Sequence, residues 1–205
     1  MIEKEIILKY TGERFYRDGF NKISMDEIAS LLHMSKKTIY KHFQSKDKLI
    51  EALLDRNCEY HLENEIKILN QKTNVIKKLV QMIQFHLDDL SKWSEKWLSD
   101  LQIHRPELWN KYSQFKNDKY YTHFKKIFIE GRKEEYLKEI PLDLILNGVE
   151  SIVKSVLHTD FLINSKLSLR QALNYSIDIF ISGILTTKGL KIYNKEKKIL
   201  KLYKF

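Results

Sequence analysis

The chain has 205 residues, 43% of them hydrophobic and 31% charged, with only 6 glycines and 2 prolines. That composition excludes collagen-like, low-complexity and natively disordered chains, and a single cysteine, Cys58, excludes a disulfide scaffold or a Cys-based zinc site. The net charge of +9 suggests nucleic acid, but residues 188–205 carry seven lysines against one glutamate, so +6 of that total belongs to the C-terminal tail.

Apolar runs stay far short of the ~20 residues a membrane span needs. The start Met1-Ile2-Glu3-Lys4-Glu5 has neither the apolar length nor the charge of a signal peptide. A soluble, cytoplasmic protein is expected.

Scarce Gly and Pro predict an all-α chain. Ile6, Ile7, Tyr10 and Phe15 share one face of a first helix that stops at Asp18-Gly19, where glycine suits the left-handed residue past a helix end. Gly12 inside it costs about 1 kcal/mol against Ala, so packing must hold this helix. Ser24-Met25-Asp26-Glu27 is a capping box opening a second helix through Ile28, Ala29, Leu31 and Leu32. After His33-Met34, Ser35 caps a third helix with Ile39 and Phe43 inward. Ser45 caps a fourth over about 46–69.

Further helices are predicted near 73–91, 94–103, 106–131, 142–163 and 168–190, with Pro106 and Pro141 placed to open two of them. The expected organisation is a three-helix unit over 1–46 on a larger helical body over 47–205.

Two short helices joined by a tight turn form a helix-turn-helix arrangement. The stretch 33–46 holds Lys36, Lys37, Lys41 and Lys46 and no acid, together with Ser35, Thr38, Tyr40 and His42 as hydrogen-bonding groups. Such a face can neutralise phosphates at a major groove about 12 Å wide.

Residues Ile7-Leu8, Phe15, Gly19-Phe20, Ser24-Met25, Ile28-Ala29, Ser35-Lys36-Lys37-Thr38-Ile39-Tyr40-Lys41-His42-Phe43 and Ser45-Lys46-Asp47-Lys48-Leu49 resemble, without gaps, the DNA-binding domain of the tetracycline-repressor (TetR) family. The resemblance covers roughly residues 5–55; the rest resembles the family only in length and helical pattern. It implies base reading by Lys36 and Lys37, backbone clamping by Thr38, Tyr40 and His42, and phosphate contacts at Ser24 and Lys46. Ser35 and Lys41 complete the expected DNA-binding set. Two departures stand out: His33 replaces the usual turn glycine, and Lys37 replaces a common small residue.

In the body, 142–163 and 168–190 are apolar beyond one stripe and carry Gly148, Ser151, Ser155, Ser176 and Gly183. Each must bury a second face. The family implies a homodimer built through these helices, reading a palindromic operator on double-stranded DNA. Aromatics between 82 and 128, among them Phe85, Trp93, Trp97, Trp109, Tyr112 and Phe124, would wall a cavity for a small apolar or amphipathic effector.

Asp100 with His104 is a metal pair without a third ligand, Cys58 beside His61 reads as inert packing rather than a redox pair, and His86 and His123 are scattered polar points. No metal, cofactor or enzyme activity is expected. The basic tail beyond 188 reads as a frayed, solvated helix rather than a DNA- or membrane-binding one. The expected function is a ligand-responsive homodimeric repressor. The alternative is a DNA-binding structural or partner-recruiting factor without an effector.

Overall fold

A computed structural model describes residues 2–199, the side chains at 117, 120, 159, 162 and 163 excepted. Among these residues the order is α1 (Ile2–Asp18), α2 (Met25–Leu31), α3 (Lys36–His42), α4 (Lys46–Leu69), α5 (Val75–Leu90), α6 (Glu95–His104), α7 (Pro106–Lys133), α8 (Leu142–Val156), α9 (Thr159–Asn164), α10 (Leu169–Ile184) and α11 (Thr187–Ile199). The chain divides into two compact units, Met1–His61 with Lys92–Phe115, and Leu62–Ser91 with Lys116–Phe205. The expected boundary at 46 follows chain order. The packing instead divides α4 and α7 and brings α6 back to the N-terminal helices. No helix among the described residues is long and apolar enough to cross a membrane.

In the first unit Ile7, Phe15, Phe20, Ile28, Ile39, Leu49, Ile50, Leu53 and Trp97 are buried as one apolar set. Gly12 sits where α1 approaches α4 so closely that a Cβ would lie 3.0 Å from Leu53 Cδ2. That contact is the packing that offsets its weak helix propensity.

On α4, Glu51 accepts from Lys111 Nζ at 2.5 Å and Lys48 Nζ at 2.8 Å, and these ammonium groups hold its carboxyl down at about 2 against an ordinary 4.5. A carboxyl lowered on folding stabilises the native state above its unfolded value and loses that contribution as pH falls from 4.5 towards 2. The stability difference between the wild type and Glu51→Gln, followed by urea unfolding, should therefore shrink across that window and be lost as pH falls through its lower end. A difference independent of pH would remove this linkage.

In the second unit α10 packs on α8 and α5, and α11 packs on α5. The two long helices predicted here are each broken. His158 leaves the helix (φ −69°, ψ 139°) and its Nδ1 accepts from Asp160 N at 3.4 Å, which restarts the chain as α9. Leu185 is extended (φ −81°, ψ 146°) and pairs with Leu137 in an isolated antiparallel bridge. Thr186 Oγ1 then accepts from Gly189 N at 3.1 Å, starting α11.

The tail to residue 199 is therefore not frayed: Tyr193 is fully buried, and Lys197 Nζ donates to Asp178 Oδ1 at 2.5 Å. The amphipathic spacing of Leu190 and Tyr193 reflects docking of this helix. Residues 200–205 of the expected tail lie outside the described residues.

Candidate nucleic-acid interface

Local sequence builds the helix pair as expected. Ser24 Oγ accepts from Glu27 N at 3.1 Å while Ser24 N donates to Glu27 Oε2 at 2.6 Å, closing the capping box. The backbone N–H and hydroxyl of Ser24 also hold the Glu27 carboxyl below its ordinary range. At the far end of α2, Met34 N donates to Ala29 O and His33 N to Ser30 O, the paired bonds of a Schellman motif. His33 takes the left-handed position itself, at φ +52°. A residue with a Cβ thus makes the bend where glycine was absent.

Ser35 Oγ accepts from Thr38 N at 3.1 Å and caps α3, whose Ile39 is fully buried with Phe43 just beyond it. Seating α3 on these two side chains turns Lys36, Lys37, Tyr40 and Lys41 outward as exposed residues, with Thr38 and His42 half-buried. Tyr40 is 46% exposed on this face. The structure thus brings Ser35, Lys36, Lys37, Thr38, Tyr40, Lys41 and His42 onto one short helix and its cap. Ser24 is exposed at the start of α2.

Two of these side chains lie against acids. Lys36 Nζ lies 2.6 Å from Asp26 Oδ2, and His42 Nε2 lies 2.9 Å from Glu3 Oε2. The His42 hydrogen bond holds the Glu3 carboxyl below its ordinary range.

Lys46 is half-buried at the start of α4. Its Nζ donates to the carbonyls of Phe20 at 2.7 Å, Asn21 at 3.1 Å and Ile23 at 2.8 Å, which occupies all three ammonium protons. Burial lowers its pKa. Lys46 thus clamps the turn between α1 and α2.

Asp100 on α6 holds the same turn from its N–H side. Its Oδ2 accepts from Phe20 N at 2.6 Å and Asn21 N at 2.8 Å, beside Gly19 at φ +74°. Sequence spacing had paired Asp100 only with His104, whose Nε2 is 3.9 Å from Oδ1.

The six expected cavity aromatics fall into both units. Trp97, fully buried, is ringed by Phe15, Tyr16, Phe20 and Trp93. Tyr112 Oη donates to Asn57 Oδ1 at 2.6 Å, and its ring lies 5.5 Å from that of Trp93 and 6.3 Å from that of Trp109. Trp93, Trp97 and Tyr112 belong to the buried core of the first unit with Trp109 half-buried beside them, whereas Phe85 and Phe124 flank His86 in the second.

Comparison with known proteins agrees with the geometry of the helix pair. Residues 7–53 match the family model for bacterial regulatory proteins of the tetR family. The chain is similar over 87% of its length, and 93% of the other's, to an uncharacterized helix-turn-helix transcriptional regulator, YvaF, of Bacillus subtilis, at 22% identity. It is 51% identical over 39 residues, 19% of this chain and 20% of the other, to the DNA-binding transcriptional repressor TetR of Mycobacteroides abscessus. Its fold is similar to that of a transcriptional regulator from Cytophaga hutchinsonii, with a TM-score of 0.68 and 22% identity, covering 90% of this chain and 99% of that one. Residues 7–53 thus carry the DNA-binding domain of the tetR family of bacterial regulatory proteins, and the chain shares, across 90% of its length, the fold of a transcriptional regulator.

Proposed function

We propose that this regulator is a homodimeric repressor that reads a palindromic operator through α3 and responds to a small apolar or amphipathic effector. The observation that carries the reading is the outward face of α3. Lys36, Lys37, Tyr40 and Lys41 are exposed there on a helix anchored by Ile39 and Phe43, the residue types that contact phosphates and guanine edges.

Pairing of two copies is supported by α8 and α10, where Leu144 (62% exposed), Ile179 (75%) and Tyr175 (48%) leave apolar surface uncovered. A methyl added at Gly183 would meet nothing within 4 Å, so a second helix has room to approach there. Repression is the activity named for the M. abscessus relative. The half-buried Phe85 and Phe124 rings are the remaining candidates for the effector side.

The test is a salt-dependent titration of the full chain against DNA from upstream of its own gene, with shuffled DNA as control. Preferential binding to the native fragment with two protomers per site is the expected result. Tyr40→Phe, removing one phosphate hydrogen bond, should cost roughly 1 kcal/mol of affinity.

Lys37→Ala should reduce the salt slope by about one unit per protomer. Lys46→Met, with its donors engaged internally, should lower stability and leave the slope unchanged. Equal binding to both DNAs would refute the operator reading.

A further inference from the structure

Helices α4, α5 and α7 hold a polar cluster that DNA binding leaves unused. The Glu65 side chain on α4 is fully buried, and a carboxylate at that depth persists only with compensating partners. Two other helices supply them. His123 Nδ1 on α7 lies against Glu65 Oε2, and His86 Nε2 on α5 stands 3.5 Å from Oε1. His123 is buried, and His86 is half-buried with its ring 5.4 Å from that of Phe85 and 5.9 Å from that of Phe124. Burial pushes the Glu65 carboxyl up, and the hydrogen bond with His123 opposes it.

The separation between Glu65 and His86 is the informative quantity. It is long for a hydrogen bond. Two ligands each about 2.1 Å from a tetrahedral ion stand about 3.4 Å apart, which is the spacing found. His123, on the other carboxylate oxygen, occupies the place of an outer partner that orients a ligating group. One turn before Glu65 on the same helix is His61, also buried, at the four-residue spacing by which one helix face offers two ligands to one ion. Two imidazoles and one carboxylate suit Zn²⁺ and its first-row neighbours, whereas Mg²⁺ and Ca²⁺ favour oxygen ligands throughout.

We propose that Glu65 and His86, with His61 as third ligand and His123 orienting the carboxylate, bind one divalent transition-metal ion of the Zn²⁺ class. Spacing in the chain shows only the His61–Glu65 pair, and the fold adds the rest. The inference goes beyond operator binding and stands or falls without it.

Full-length, untagged protein stripped with a chelator is titrated with Co²⁺ and then Zn²⁺, with no DNA present. One equivalent per chain is expected, showing the visible absorption of tetrahedral Co²⁺, displaced by Zn²⁺ but not by Mg²⁺ or Ca²⁺. Zn²⁺ should also raise the thermal midpoint, because it binds the native state.

His86→Gln changes the least buried of the proposed ligands, and it should abolish the stoichiometric signal while circular dichroism stays native. Glu65→Gln, the isosteric second variant, should do the same. His123→Gln should keep the stoichiometry and weaken binding about 10–100-fold. Absence of saturable binding in the wild type, wild-type binding by folded His86→Gln, or displacement of Co²⁺ by Mg²⁺ or Ca²⁺ would each overturn the proposal.

Discussion

Asp100→Ala should destabilise the protein by about 2–3 kcal/mol, because it strips the acceptor from two N–H groups at once. Phe20 N, which loses its 2.6 Å bond, is buried and has no water to replace it. Asn21 N, at 2.8 Å, is part-buried and recovers some solvation. The consequence extends past the two bonds. The turn 19–21 is held between a carboxylate on its N–H side and the Lys46 ammonium on its carbonyl side.

Removing the carboxylate also removes one of the charges, beside Asp47 and Glu27, that favour the protonated Lys46 against its burial. For a chain of this size the loss corresponds to roughly 5–10 °C in the thermal midpoint. Asp100→Asn keeps one acceptor oxygen and should lose less. Since Asp100 touches no phosphate, the salt slope of DNA binding should be unchanged in either variant even where affinity falls. A wild-type midpoint for Asp100→Ala would show that the turn holds itself.

What made the helix pair legible, and this anchor illegible, is sequence distance. Ser24 and Glu27 are three residues apart, so their reciprocal bonds were readable as a capping box and are formed. Ser35 as cap and Ile39 as inward anchor were readable for the same reason. Asp100 and Phe20 are separated by 80 residues and Glu65 and His123 by 58, and no local pattern links them.

Lys46 shows a subtler limit. Its position at a helix start correctly suggested a charge interaction, but phosphate and backbone carbonyl present the same acceptor chemistry to an ammonium. Only the fold shows that the carbonyls of residues 20, 21 and 23 reach it first. The break at 185–186 was hidden by periodicity, because the apolar spacing runs on through Leu190 and Tyr193 while Thr186 restarts the helix beneath it.

That break gives the second large effect. Gly189→Ala should undock α11 and lower stability by about 1–3 kcal/mol or more, the range found when bulk is forced into a packed site. A Cβ at Gly189 would lie 2.2 Å from the carbonyl oxygen of Tyr136 and 3.0 Å from its carbonyl carbon, both main-chain atoms. That carbonyl is not free to retreat. It accepts from Thr186 N at 3.0 Å, while the next residue, Leu137, is bridged to Leu185, and Lys138 N donates to Ile184 O at 2.9 Å. The Tyr136 ring is tied in turn, its Oη accepting from Asn74 Nδ2 at 3.0 Å.

Relief must therefore come from α11 moving outward by about 1 Å to reach ordinary van der Waals separation. Such a shift loosens the fully buried Tyr193 from its site. Limited proteolysis should then cut within 187–199 in Gly189→Ala and spare the wild type. Lys191→Ala, an exposed change on the same helix, should stay within about 0.5 kcal/mol of wild type. Equal midpoints for Gly189→Ala and Lys191→Ala would mean that α11 contributes nothing to the fold and that its basic face is all that it supplies.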